Sequence, residues 1–265
     1  MIVGGCDVGS ATAKAVLMKD GALLSHVIIP SGTKPELAAR KAMDEALGTA
    51  GVGPIEAVDY IVGTGYGRLK IPFAGENVSE ITCHARGAHW MSPAVRTVID
   101  MGGQDCKAIS IDDEGNVADF AMNDRCAAGT GRFFEAMARV LDCGFEGLSS
   151  LCLQGENPAT ISSQCSVFAE SEVITLLNDG VELADIVAGL HHSIARSIHA
   201  LARRVGLVED VCLSGGCAKN EGLARVLEGK WGMSVKTLPR DPQIAGALGA
   251  ALIAGEKSSA ERRAS

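Results

Sequence analysis

Aromatic residues make up only 4% of this 265-residue sequence, as six Phe, two Trp and two Tyr. So few rings do not furnish the repeated stacking platforms by which proteins hold single-stranded nucleic acid. Excess positive charge is missing as well. The formal net charge is −8, the wrong sign for a phosphate backbone. No apolar run reaches the ~20 residues needed to cross a bilayer. No charged n-region followed by an apolar h-region marks a secretion signal. The expectation is a cytoplasmic protein with neither a nucleic-acid nor a membrane partner. Nine cysteines are present, but the count is odd and no Cys-x-x-Cys occurs, so a disulfide framework is not expected in a reducing compartment.

What is present suits a globular fold. Hydrophobic residues are 47% and charged residues 21%, enough for one large domain or two lobes with a sizeable core. Cys6, Cys106 and Cys212 lie in or beside apolar strand-like runs and read as small buried hydrophobes. Cys83, Cys143, Cys152 and Cys217 take the same reading. Two cysteines differ. Cys126 lies in Asn123-Asp124-Arg125-Cys126-Ala127-Ala128-Gly129-Thr130-Gly131, ahead of a helical run marked by Phe133, Phe134, Met137, Val140 and Leu141. Cys165 lies in Ser162-Ser163-Gln164-Cys165-Ser166, ahead of Val167, Phe168, Val173, Ile174 and Leu177. Each opens a helix from a polar turn. Free N–H groups and the helix dipole there favour a thiolate or an anionic metal cluster.

In chain order, residues 2–8 read as a strand entering Gly9-Ser10-Ala11-Thr12-Ala13-Lys14, with strands at 15–18 and 22–29 around an Asp20-Gly21 hairpin turn. The first turn suits phosphate. Gly9 lets backbone approach, Ser10 and Thr12 offer hydroxyls, Lys14 supplies charge, and Asp7 can hold Mg²⁺ through water. A helix at 35–50 and a strand at 58–62 follow. Gly63-Thr64-Gly65-Tyr66-Gly67-Arg68 imitates a dinucleotide fingerprint, but its spacing is wrong and no helical run follows directly. Residues 79–91 read as a helix. Near Val95 the first pattern recurs. A strand ends at Asp100, then come Gly102, Gly103 and Gln104, a strand, a turn at 112–116 and a third strand from Val117. This duplication predicts two lobes, each giving one phosphate loop to a shared nucleotide. A long helix spans 185–205. Gly215-Gly216, after a strand at 211–214, is a turn on which a base or ribose can lie. Ile244–Ala254 is a small-residue helix suited to interlobe packing, and residues 256–265 read as a disordered tail.

Together, the paired Asp-x-Gly turns, the Gly-Gly turn and the small-residue helix resemble the actin / sugar kinase / heat-shock-70 superfamily. That likeness implies an α/β fold of two lobes, each a mixed sheet flanked by helices: residues 1–94, and 95–243, with the 244–254 helix packing between them or returning to the first. The two cysteine motifs (123–133 and 162–174) narrow the resemblance to the ATP-dependent activators of 2-hydroxyacyl-CoA dehydratases, which share a family with benzoyl-CoA reductase ATPase subunits. The resemblance implies a homodimer whose subunits share one [4Fe-4S] cluster, bound ATP or ADP with Mg²⁺, and an ATPase that drives single electrons onto a partner iron–sulfur dehydratase or reductase. A ferredoxin or flavodoxin is the implied electron source. Cys126 and Cys165 are then the iron ligands, and two per chain doubled by a two-fold axis meets the four thiolates such a cluster usually takes. Asp7 and Asp100 become the Mg²⁺-orienting carboxylates, Gln104 positions the attacking water, and Gly215 and Gly216 border adenosine. A small-molecule kinase is the competing class; it leaves the cysteine pair without a task.

Overall fold

A computed structural model of the chain describes residues 1–123, 127, 129–162 and 165–264. Its contacts divide into two units. Unit 1 comprises Met1–Val98, Ile111–Ala118 and Leu238–Ser265, and unit 2 comprises Ile99–Ser110 and Asp119–Thr237.

In unit 1, β1 (Ile2–Val8), β2 (Thr12–Lys19), β3 (Ala22–Pro30), β4 (Tyr60–Thr64) and β5 (Glu76–Asn77) form one sheet in the order β3-β2-β1-β4-β5. β1, β2 and β3 pair antiparallel, whereas β4 joins β1 in parallel. Asp20 and Gly21 both have positive φ, 51° and 83°, which is the backbone a two-residue hairpin loop prefers. β4 begins at Tyr60 rather than at Val58 because the Val58 amide is spent closing a short 3₁₀ turn onto Ile55. α1 (Pro35–Ala50) starts with Pro35 and stops at Gly51, which takes a left-handed φ of 63°. It buries Ala38, Ala39, Ala42, Met43, Ala46 and Leu47. α2 (Glu80–Met91) is N-capped by Ser79, whose Oγ accepts from the Ile81 amide.

The last helix, α8 (Ala245–Ala264), belongs to unit 1 and lies on β1 and α2. Its small residues serve close backbone approach. A Cβ at Gly5 would drive into the Ala247 carbonyl, and one at Gly249 into the Cys83 carbonyl. The helix runs on through 256–264, where the sequence predicts a disordered tail. Low hydrophobicity misleads here because charge does the docking. Lys257 pairs with Glu76 at 2.9 Å and Arg262 with Asp59 at 2.5 Å, Glu256 meets Arg86, and Ser258 is buried.

The second sheet holds β6 (Thr97–Met101), β7 (Cys106–Ile111), β8 (Val117–Asn123), β9 (Val211–Ser214) and β10 (Val235–Lys236), ordered β10-β9-β6-β7-β8. Read from its hairpin end, this is the strand order of the first sheet. The expected pair of mixed sheets flanked by helices is therefore present. Unit 2 carries α3 (Gly131–Val140), α4 (Phe145–Cys152), α5 (Ser166–Asn178), α6 (Leu183–Arg204) and α7 (Glu221–Trp231). Phe133, Phe134 and Met137 of α3 are buried in one core with Leu148, Val173, Ile186, Leu190 and Ile194, each worth about 1.5–3 kcal/mol of burial. α6 buries the face the sequence predicts, and Gly206 follows it with φ 69°. α5 differs from expectation in one respect. The helix is where the periodicity puts it, yet Val167, Phe168, Ile174 and Leu177 are exposed, and only Ala169 and Val173 are buried.

Candidate functional site

The two turns that the sequence marks as candidate phosphate loops are built alike. In unit 1, β1 delivers Asp7 to the sheet end, and antiparallel register sets it opposite Lys14. The ammonium lies 3.1 Å from the Asp7 carboxylate, and both groups are buried. Gly9 closes the turn by donating its amide to the Thr12 carbonyl at 3.0 Å, and Ser31 Oγ donates to the Gly9 carbonyl at 2.7 Å. Gly65 packs on Asp7 so closely that a Cβ would strike the carboxylate, and its φ of 89° suits glycine alone. Ser10 and Thr12 are half-buried at the turn.

In unit 2, Asp100 ends β6 in the same way. Its partner is Lys107 on β7, at 3.3 Å. Each pair is separated by seven residues. Gly102 repeats Gly9, donating its amide to the Asp105 carbonyl at 3.0 Å. Lys107 also meets Asp105 at 2.8 Å, and Ser214 Oγ donates to Asp100 at 3.2 Å. Gly215, with φ 82°, packs on Met101 and Asp100, so the Gly215–Gly216 turn and the Asp100 loop are one locality of unit 2. Gln104 is exposed at the tip of the turn and Gly103 is half-buried beside it. Sequence reading missed Lys107, Asp105 and Ser214. The signal for Lys107 was available, because Asp7 and Lys14 recur as Asp100 and Lys107 at a constant offset.

Cys126 lies outside the described residues. The helix behind it starts at Gly131, and its first amides are not the free donors the sequence predicts. Gly131 N–H donates to the Gly102 carbonyl and Arg132 N–H to the Gly103 carbonyl, both at 2.9 Å. The Gly102–Gly103 turn thus occupies the N-terminus of α3. Thr130 folds the preceding loop back, giving its amide (3.0 Å) and hydroxyl (2.7 Å) to Ala127.

Cys165 is described, and it is exposed. It occupies the N-cap position of α5, with its carbonyl taking the Ala169 amide at 2.9 Å. Its neighbourhood is tied to α6, where Arg196 donates to the Ile161 carbonyl at 2.5 Å. One residue on, Ser197 lies against Gly129 of the Cys126 loop. α6 therefore backs both cysteine segments. Ser166 Oγ and Ser197 Oγ are buried there without a hydrogen-bond partner. The other described cysteines differ in kind. Burial pushes the thiols of Cys83, Cys212 and Cys217 up to about 12 and that of Cys152 up to about 11, and it raises Cys6 and Cys106 further. These are inert thiols. Among the described residues, no three His, Cys, Asp or Glu side chains come together as a metal site. No described helix is long and apolar enough to cross a membrane.

The sequence matches the BadF/BadG/BcrA/BcrD ATPase family over residues 5–254. It is 47% identical over 253 residues to the activator of lactoyl-CoA dehydratase from Anaerotignum propionicum, covering 95% of this chain and 96% of that one. Component A of (R)-2-hydroxyglutaryl-CoA dehydratase from Acidaminococcus fermentans superposes with a TM-score of 0.93 at 41% identity, over 98% of this chain and 99% of the other. The activator of 2-hydroxyisocaproyl-CoA dehydratase from Clostridium difficile, solved with ADPNP bound, gives 0.93 at 37%, over 100% and 98%. The fold is that of the actin-like ATPases, and the chain belongs to the BadF/BadG/BcrA/BcrD ATPase family.

Proposed function

We propose that this chain binds and hydrolyses ATP to activate a 2-hydroxyacyl-CoA dehydratase, by driving single electrons from a [4Fe-4S] cluster that two copies of the chain hold between them. The observation that carries the reading is Cys165. It is the exposed cysteine among the described residues, it caps a helix, and the helix presents a bare apolar face. One such chain offers too few thiolates for a cluster that usually takes four. A two-fold axis doubles Cys126 and Cys165 to four, and a second copy would cover Val167, Phe168, Ile174 and Leu177. The donor chemistry fits. The α5 N-terminus favours negative charge, and the orphaned hydroxyls of Ser166 and Ser197 flank the cysteine segments as available donors.

When bound, the cluster supplies low-potential one-electron chemistry; the chain's own residues do the rest. Lys14 pairs with Asp7 and Lys107 with Asp100, so each turn keeps a buried carboxylate that would hold Mg²⁺ through water. Ser10 and Thr12 offer hydroxyls and Lys14 its ammonium to phosphate oxygens, while Gly9 and Gly102 close the turns and, with Gly103, let backbone approach the phosphates. Gln104 positions the attacking water, and Gly215 and Gly216 leave room for the nucleoside. Phosphoryl transfer to water needs little beyond such positioning and charge. The test is anaerobic purification with iron and acid-labile sulfide measured per dimer, alongside ATP hydrolysis. A brown dimer with four irons that hydrolyses ATP supports the proposal; a colourless ATPase refutes the cluster reading, and sugar-dependent ADP release would move the chain to the kinases.

A further inference from the structure

The loop that imitates a dinucleotide fingerprint has no part in the site above, yet it is built into the first phosphate turn. Gly67 donates its amide to the Val8 carbonyl at 2.8 Å, and Gly65 packs on Asp7. Between and beyond these anchors the side chains point outward. Tyr66 is 76% exposed and Leu69 78%. The start of α1 lies beside them, since Gly67 packs on Pro35, and Leu37 there is 63% exposed. No described large hydrophobic side chain is more exposed than Leu69 and Tyr66. Three such residues on adjoining segments of an otherwise well-buried unit mark an interaction surface.

Its charge says what it meets. Residues 34–41 and 66–73 carry Lys34, Arg40, Arg68 and Lys70, with Lys41 paired to Glu45 at 3.8 Å, against the carboxylate Glu36, in a chain whose net charge is −8. Arg40 is fixed over the Phe73 ring at 5.1 Å, which ties the two segments together. An apolar centre with a cationic rim fits an acidic protein surface. A second copy docking isologously here would set these cations against themselves.

We infer that Tyr66, Leu69 and Leu37, with their cationic rim, form the docking surface for the acidic face of the enzyme this chain activates, hung directly on the turn that senses phosphate. The inference rests on the activator reading. Its test uses the anaerobically purified protein and lactoyl-CoA dehydratase or 2-hydroxyisocaproyl-CoA dehydratase immobilised as probes. Leu69→Asp combined with Lys70→Glu should weaken binding about tenfold or more. Basal ATP hydrolysis, iron content and dimer mass should stay unchanged. Leu37→Ser, on a different element, should weaken binding in the same direction. Wild-type binding should fall as salt is raised from about 50 to about 300 mM. Wild-type binding that both variants retain would overturn the docking surface and leave the activator reading standing. Variants that instead dissociate the dimer would assign the surface to a second copy and overturn it too. Failure of the wild type to bind either dehydratase, with hydrolysis intact, would count against the activator reading and the docking surface together.

Discussion

Lys107→Met separates a positioning role from a merely structural one. The ammonium is among the most deeply buried charges of unit 2, 3.3 Å from Asp100 and 2.8 Å from Asp105. Removing one partner of a buried pair costs about 3–5 kcal/mol, since the other charge stays behind. Asp105 is partly exposed and recovers water. Asp100 is buried and keeps the Ser214 hydroxyl, so the lower end, about 3 kcal/mol, is the expected loss. For a protein of this size that lowers Tm by roughly 6–12 °C. The loss should depend on pH. Without the ammonium, burial disfavours the charged Asp100 carboxylate, so its protonation favours the fold. Such a group favours the fold below its unfolded pKa and loses that contribution as pH rises through the folded one. The deficit should therefore be full at pH near 8 and shrink toward pH near 4. Adding Asp100→Asn removes the stranded charge and should recover most of the stability. ATP hydrolysis should be lost in the single and double variants alike. The measurement is thermal unfolding across pH with ATPase activity in parallel. A Lys107→Met protein within about 0.5 kcal/mol of wild type, or a deficit independent of pH, would refute the buried-pair reasoning.

Cys165→Ser should strip most of the iron while leaving nucleotide binding intact, because it deletes two of four ligands in a symmetric dimer; Cys212→Ser should keep full iron content. In cluster-free protein at pH near 8, iodoacetamide should label Cys165 well before Cys83, Cys152, Cys212 or Cys217, read by peptide mass, and uniform labelling would mean the fold is open. Gly249→Val should destabilise unit 1 by more than about 3 kcal/mol, since the Cβ meets the Cys83 backbone rather than a movable side chain. Iron release to a chelator should be faster with ATP or ADPNP than with ADP; equal rates in all nucleotide states would remove any gating of the cluster by nucleotide.

The fold was legible where local and global signals coincide. Asp20-Gly21, Pro35 with Gly51, and the α6 face each carry a turn, cap or period that tertiary structure has no reason to override. Reading failed where sequence patterns report only composition. α4 was missed because Gly147, Ser149 and Ser150 break the helical look of a short element that tertiary packing through Leu148 and Cys152 sustains. The tail was misread because docking by ion pairs leaves no hydrophobic trace. α5 was placed correctly, but periodicity shows that a face is apolar, not what covers it. The paired aspartates were legible from repetition. Lys107 was not singled out, because a lysine inside an apolar strand looks like an ordinary edge charge unless the Asp7–Lys14 offset is carried over to Asp100, whose carboxylate its ammonium meets at 3.3 Å.

The same repetition shows where the two units part company. Asp-x-Gly, the amide closing each turn and the lysine seven residues on are common to both. What each turn is attached to is not. The first turn carries Tyr66 and Leu69 through Gly65 and Gly67, and two carbonyls of the second accept from the first amides of α3, the helix that follows Cys126. Movement of the second turn would be passed on, because a shift of a few tenths of an ångström at Gly102 and Gly103 either carries the Gly131 and Arg132 amides along or breaks two hydrogen bonds, at about 1 kcal/mol each. The nucleotide can alter the cysteine segment only to the extent that its states bind the second turn differently. Two hydrogen bonds set that coupling on the order of 2 kcal/mol, or about thirtyfold in an equilibrium. In the electron donor proposed above, such coupling would run through backbone atoms that no single side-chain substitution removes.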